Sequence, residues 1–166
     1  MEKVLELYPA AQRALFQKYH IGGCSSCGFS PQDTLETVCQ NHDQNPEEVI
    51  EHLKKSYELD EELQIAPVQA RDRLTAGNGA RFIDVRDEHE HALARIEGSK
   101  LATQELVEEM MRSWPKDTLI IVYCHYGNRS LDAAAYLIGH GFKNVKSLKG
   151  GIDAWSREVD PKVPRY

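Results

Sequence analysis

The chain has 166 residues, of which 41% are hydrophobic and 28% charged, with a formal net charge of −6. That length suits one ordinary domain or two small ones. No apolar stretch approaches the ~20 residues of a membrane span, and neither half carries the basic balance of a nucleic-acid binder. The acid is uneven: residues 1–62 hold 5 Lys/Arg against 12 Asp/Glu, a balance of −7, whereas residues 63–166 hold 15 against 14, a balance of +1. The charged start Met1-Glu2-Lys3 is unlike a signal peptide. The expectation is a cytoplasmic protein whose four cysteines, Cys24, Cys27, Cys39 and Cys124, are kept reduced.

In chain order, the first sixty residues predict a small helical domain. Val4-Leu5-x-Leu7 and Ala14-Leu15-Phe16 are apolar at helical spacing, with Pro9 suited to a first helical turn. Gly22-Gly23-Cys24-Ser25-Ser26-Cys27-Gly28 predicts a loop. Ser30-Pro31-x-Asp33 has capping-box chemistry for a helix that contains Cys39, expected to be a small buried hydrophobe. Asn45-Pro46-x-Glu48 opens a third helix with Val49, Ile50 and Leu53 on one face. Glu58 to Glu62 is an acidic, solvated run. The expected organisation is a helical domain over residues 1–58, an acidic linker over 59–64 and an α/β domain over 65–166.

In that second part, Phe82-Ile83-Asp84-Val85-Arg86 and the β-branched run Thr118 to Tyr123 predict buried parallel strands. Cys124-His125-Tyr126-Gly127-Asn128-Arg129 follows, and Ser130 to Ile138 has the spacing and composition of a helix. A cysteine between a strand end and a helix start faces unpaired amide N–H groups and the positive end of the helix dipole. Both favour the thiolate, the nucleophilic form. Gly127 is placed for a backbone angle that other residues resist, and Ser130 for a helix cap. Trp155, Trp114, Met110 and Met111 are expected to fill core. His89, His91 and His140 are expected at the surface, because His89 and His91 alternate and share no helical face.

The loop resembles the active-site loop of rhodanese-type sulfurtransferases, and the resemblance runs from about residue 65 to the end. Phe82 to Arg86 resembles the Asp-x-Arg strand of that family. Gly141-Phe142, Asn144-Val145 and Leu148-x-Gly150-Gly151-Ile152-x-x-Trp155 resemble its closing strand and helix, and the tail Val159-Asp160-Pro161-x-Val163-Pro164-x-Tyr166 recurs in a bacterial branch. The implied fold is a mostly parallel sheet flanked by helices, preceded by a small all-α domain. The spacing from Cys124 to Arg129 matches the six-residue loop of the sulfurtransferases. Related phosphatases carry one residue more, in a wider cradle that suits phosphate, so a phosphatase or arsenate reductase is disfavoured.

The resemblance implies that Cys124 attacks the outer sulfur of a small-molecule donor, becomes a persulfide and passes the sulfur to a thiol, to another nucleophilic acceptor or to a sulfur-accepting protein. The substrate loop would be His125, Tyr126, Gly127, Asn128 and Arg129, with Asp84, Arg86 and Ser130 in support. Arg129 and His125 are candidates to attract anionic donors; the alternative for Arg129 is a salt bridge to Asp84 that fixes the loop. Members that use thiosulfate often carry more basic residues in the slots occupied here by His125, Tyr126 and Asn128, which leaves thiosulfate and persulfides both open as donors. Where the family shows a Gly-His-Ile-x-Gly-Ala run, this chain has Ala94-Arg95-Ile96-Glu97-Gly98-Ser99.

Residues 2–57, with Cys24-x-x-Cys27, Thr34-Leu35-Glu36 and Cys39, are similar to the amino-terminal segment of iron–sulfur repair proteins. Those proteins place two cysteines side by side and carry a separate metal-binding part, so the resemblance does not extend to di-iron repair. Cys24 and Cys27 remain open as a redox pair, as a relay that accepts sulfur from Cys124, or as ligands shared in an iron–sulfur or zinc site. No other cofactor or metal is expected. The second functional reading is a sulfur-relay or binding module for iron–sulfur cluster assembly or repair.

Overall fold

The computed structural model describes residues 1–8, 10–22, 28–77 and 79–166. Pro9 and the Cys24/Cys27 pair lie outside the described residues. The chain divides into two units, Met1–Glu62 and Leu63–Tyr166.

The first unit is helical: α1 (Glu2–Leu7), α2 (Ala11–Tyr19), α3 (Leu35–Asn41) and α4 (Pro46–Leu63). Ala11, Ala14, Leu15, Ile21, Val38, Cys39, Val49 and Leu53 form its core. Burial also raises the pKa of the Cys39 thiol. Three expectations need correction. The start of α3 is capped by Thr34, whose hydroxyl accepts from the Thr37 amide at 3.0 Å; Ser30 and Asp33 instead close a preceding turn, the Ser30 amide donating to the Asp33 carboxylate at 2.6 Å. Ile50 points outward, while Val49 and Leu53 are buried. Residues 59–63 form no linker but continue α4, because Asp60 turns inward to pair with Arg13 while Glu58, Glu61 and Glu62 stay in solvent.

The second unit is a five-stranded, all-parallel sheet in the order β1-β5-β4-β2-β3, built from β1 (Gln64–Ile65), β2 (Arg81–Asp84), β3 (Lys100–Leu101), β4 (Leu119–Tyr123) and β5 (Asn144–Leu148). Helices α5 (Pro67–Thr75), α6 (Glu88–Leu93), α7 (Gln104–Ser113), α8 (Asn128–Gly139) and α9 (Gly151–Glu158) connect and cover it. Alternation along the strands divides two cores. Phe82, Ile121, Tyr123 and Leu148 pack on one face with Ala70 of α5 and with Ile152 and Trp155 of α9. Ile83, Ile120, Val122 and Val145 pack on the other with Leu106 and Met110 of α7 and with Ala134 and Leu137 of α8. Trp155 meets Phe82 edge to face at 5.7 Å, whereas Trp114 is only partly buried and lies under the Arg81 guanidinium. The central strand β4 is buried on both faces, which is why its sequence is a continuous apolar run. It delivers Cys124 to the carboxyl edge of the sheet, where open α/β sheets hold their ligands.

Candidate active site

Cys124 leaves β4 directly after Tyr123 and is 2% exposed. Its sulfur accepts a hydrogen bond from the Gly127 amide at 3.2 Å and lies 3.5 Å from the Ser130 hydroxyl. Gly127 has φ +96°, and a Cβ there would meet the Gly150 amide nitrogen at 3.0 Å and the Leu148 carbonyl at 3.2 Å. The turn is therefore closed to any side chain on two counts. Gly127 also caps α8, so the helix begins two residues earlier than the sequence suggested. Ser130 is then no cap. It is the third helical residue, fully buried beneath the sulfur, and its hydroxyl donates to the Gly127 carbonyl at 3.0 Å while accepting from Ser147 at 2.8 Å.

The loop is held from a second side by the start of α9. The amides of Ile152 and Asp153 donate to the carbonyls of Cys124 and His125 at 2.9 and 3.2 Å. This close approach requires Gly151: its φ is +62°, and a Cβ would fall 2.3 Å from the His125 carbonyl oxygen. One helix start thus faces the sulfur and another takes up loop carbonyls.

Asp84 and Arg86 form a buried pair at the end of β2. Both side chains are inaccessible, their closest N–O distance is 2.6 Å, and Arg86 also donates to the Ala94 carbonyl and to the Tyr166 hydroxyl. Burial raises the Asp84 pKa, but hydrogen bonds from Arg86 and His91 outweigh it, so the net shift is downward. Burial works against the Arg86 cation too, and Asp84 overrides it, holding Arg86 above its ordinary range. The buried Tyr123 hydroxyl, beside this pair, is pushed upward by burial first and then by the Asp84 charge. It accepts from the Ile96 amide and bonds Ser99 at 2.7 Å, so the run 94–99 closes the site with contacts of its own. His91 is not a free surface histidine: its Nδ1 lies 2.8 Å from Asp84.

Arg129 does not reach Asp84, which Arg86 and His91 already occupy. Its guanidinium meets both carboxylate oxygens of Glu90 on α6, at 3.0 and 2.9 Å. Burial opposes its charge, the Glu90 hydrogen bond and charge prevail, and Cys124 and Tyr166 add smaller contributions, so the guanidinium pKa is raised. Tyr166 donates to Glu90 at 3.1 Å. His125 is stacked on Tyr126 at 4.1 Å and tilted against Tyr166 at 4.3 Å, and its Nδ1 is 3.9 Å from Glu90. Asn128 and Tyr126 are exposed. The arrangement can stabilise a sulfur anion from below and present it to a small donor under an aromatic rim whose one loop cation is already paired.

Three contributors were not singled out from the sequence. Ser147 carried a signal: in Asn144 to Leu148 the alternation places it on the same buried face as Val145. Tyr166 sat in the tail pattern without a role. Glu90 reads as one more acid in a charged segment, and only folding brings it to Arg129, 39 positions away. Among the described residues no group of three or more His, Cys, Asp or Glu is placed to hold a metal, and no helix is long and apolar enough to cross a membrane.

The family model for the rhodanese-like domain matches residues 66–158. The thiosulfate sulfurtransferase GlpE of Pseudomonas paraeruginosa is 41% identical over 97 residues, covering 58% of this chain and 86% of that protein. The probable adenylyltransferase/sulfurtransferase MoeZ of Mycobacterium tuberculosis is 35% identical over 104 residues, 61% of this chain but 26% of that protein. Among solved structures, the rhodanese-like domain of the Anabaena protein Alr3790 is 28% identical with a TM-score of 0.53, covering 58% of this chain and 75% of that one. The BH2092 protein of Bacillus halodurans is 28% identical with a TM-score of 0.52, covering 69% and 82%. With the parallel sheet, the short cysteine loop and the paired Asp84 and Arg86 in place, this chain belongs to the rhodanese-like domain family.

Proposed function

We propose that this chain is a sulfurtransferase that carries sulfane sulfur as a persulfide on Cys124. The observation that carries the proposal is Cys124 itself, a residue only 2% exposed at the end of β4 whose sulfur is hydrogen-bonded by the Gly127 amide at a helix start. A recessed sulfur suits a donor that presents a single terminal atom and disfavours a bulky tetrahedral phosphate. The Cys124 thiolate attacks the outer sulfur of the donor, the donor's S–S bond breaks, and its electron pair leaves on the inner group, giving Cys124–S–S⁻ and a thiolate or sulfite. An acceptor thiolate then attacks the terminal sulfur, takes it as a new persulfide and returns the Cys124 thiolate. Sulfur moves at constant oxidation level, so no outside oxidant or reductant is needed. The loop amide and the α8 dipole act on the sulfur anion in both halves.

Thiosulfate, the donor in the names of the GlpE relatives, and low-molecular-weight persulfides are the candidate donors. A small thiol or a protein thiol is the candidate acceptor. The C-x-x-C of Cys24 and Cys27 is a candidate internal acceptor on its spacing alone. A cytoplasmic setting would keep all of these thiols reduced. The test is thiocyanate formation from cyanide with each donor in turn, under conditions that resolve ping-pong kinetics. Cys124→Ser is expected to lower kcat/KM by at least about a thousandfold; a variant that keeps its rate places the chemistry elsewhere.

A further inference from the structure

The loop cation is the natural anchor for an anionic donor, and in this chain it is already occupied. Both oxygens of Glu90 bind the same Arg129 nitrogen, at 3.0 and 2.9 Å. Glu90 is itself held in place: its side chain is 16% exposed, and the Tyr166 hydroxyl donates to Oε1 at 3.1 Å while being fixed in turn by Arg86. Arg129 remains 53% exposed, and an ion pair that open to water contributes little to stability. Its larger consequence is electrostatic, because it cancels the one positive side chain of the loop beside the sulfur.

We propose that Glu90 sets donor specificity, acting through Arg129 as a positioning residue: it holds one guanidinium nitrogen and offsets the cation's charge, so that the site disfavours dianionic sulfonate donors such as thiosulfate and favours persulfides whose leaving group carries no such charge. A free guanidinium offers two parallel N–H donors to an oxyanion and would grip the sulfonate of thiosulfate bidentately. That grip would also stabilise the sulfite that leaves when Cys124 takes the outer sulfur. A thiolate leaving group of a neutral alkyl chain has no oxyanion to hold, and it gains contact instead with the rim of His125, Tyr126 and Tyr166, in which the two tyrosine rings lie 4.1 and 4.3 Å from that of His125. The inference rests on the sulfurtransferase reading and adds to it the class of donor.

The test uses the full chain with two donors, thiosulfate and 2-hydroxyethyl persulfide. Donor kcat/KM is measured for the wild type, Glu90→Gln, Arg129→Gln and the double variant, and the sulfur on Cys124 is read in parallel by mass. The amide oxygen that Glu90→Gln leaves in place can still accept from Tyr166, and melting curves check that the fold is kept. Glu90→Gln is expected to raise kcat/KM for thiosulfate by about ten- to a hundredfold, through KM, and to leave the persulfide within about twofold. The gain should vanish in the double variant, while Arg129→Gln alone, which leaves the Glu90 carboxylate uncompensated, should lower kcat/KM for thiosulfate further and for the persulfide less. Equal losses with both donors would make Glu90 a brace of the loop and overturn the specificity role. So would persulfide labelling of Cys124 with an unchanged donor ratio. Absence of sulfur on wild-type Cys124 with both donors would overturn the sulfurtransferase reading, and this inference with it.

Discussion

At the scale of single residues, the proposed sulfur transfer turns on what surrounds one sulfur. Cys124 has the Gly127 amide at 3.2 Å and the Ser130 hydroxyl at 3.5 Å, and Ser147 supports Ser130 from β5. Ser130 has a single proton and directs it to the Gly127 carbonyl; rotation of that hydroxyl would turn the proton toward a sulfur anion. A hydrogen bond to a charged group is worth about 1.5–3 kcal/mol, offset in part by the Gly127 carbonyl bond it gives up, so Ser130→Ala should lower donor kcat/KM by about three- to tenfold. Ser147→Ala should lower it less, because it acts through Ser130. Steady-state kinetics with either donor measures both, and an unchanged rate in Ser130→Ala would remove the hydroxyl from the mechanism. Cys124 and Gly127 were legible in the sequence because a β-branched run, a cysteine and a glycine stand close together. Glu90 and Tyr166 were not, because their roles arise from contacts across 39 and 80 positions that no local pattern encodes.

At the scale of elements, β2, β4 and β5 each bring one component to the same edge. Asp84 lies opposite Tyr123 and Ser147 opposite Val122, so register alone places a buried ion pair on one side of the cysteine strand and a buried hydroxyl on the other. The sequence expressed the strands well, since apolar alternation is local. It misassigned Ser130 as a cap, because a glycine in the left-handed region can start a helix without any side-chain signal. It also took the end of α4 for a linker, because a run of acids conceals that Asp60 alone faces inward. The Asp84–Arg86 pair leads to a pH prediction. The folded pKa of Asp84 lies below its unfolded value of 3.8, so the stabilisation is complete well above that value and is lost as pH falls through it toward the folded pKa. Asp84→Asn should remove this acid-side slope and, at neutral pH, leave Arg86 buried without its counter-charge, at a cost of about 3–5 kcal/mol. Denaturant unfolding between pH 3 and pH 7 checks both parts; a variant that keeps the wild-type slope and stability would deny the pair its role.

At the scale of the whole molecule, among the described residues the helical core and the sheet cores share no member: the helical core draws on residues up to Leu53, and the two faces of the sheet on residues from Ile65 onward. Ser130 and its supporting Ser147, the side chains described at the Cys124 sulfur, belong to the second unit. A chain of residues 63–166 should therefore fold alone and keep the donor half-reaction within about twofold, as circular dichroism and single-turnover kinetics would report; failure to fold would show that the second core is incomplete. The most direct test of the central claim is peptide-mapped mass spectrometry of the reduced full chain after incubation with a persulfide donor. The expected result is one added sulfur, about 32 Da, on the peptide that carries Cys124, discharged by an added thiol and absent from Cys124→Ser. A Cys124 peptide of unchanged mass with every donor, or sulfur retained in Cys124→Ser at the wild-type level, would contradict it.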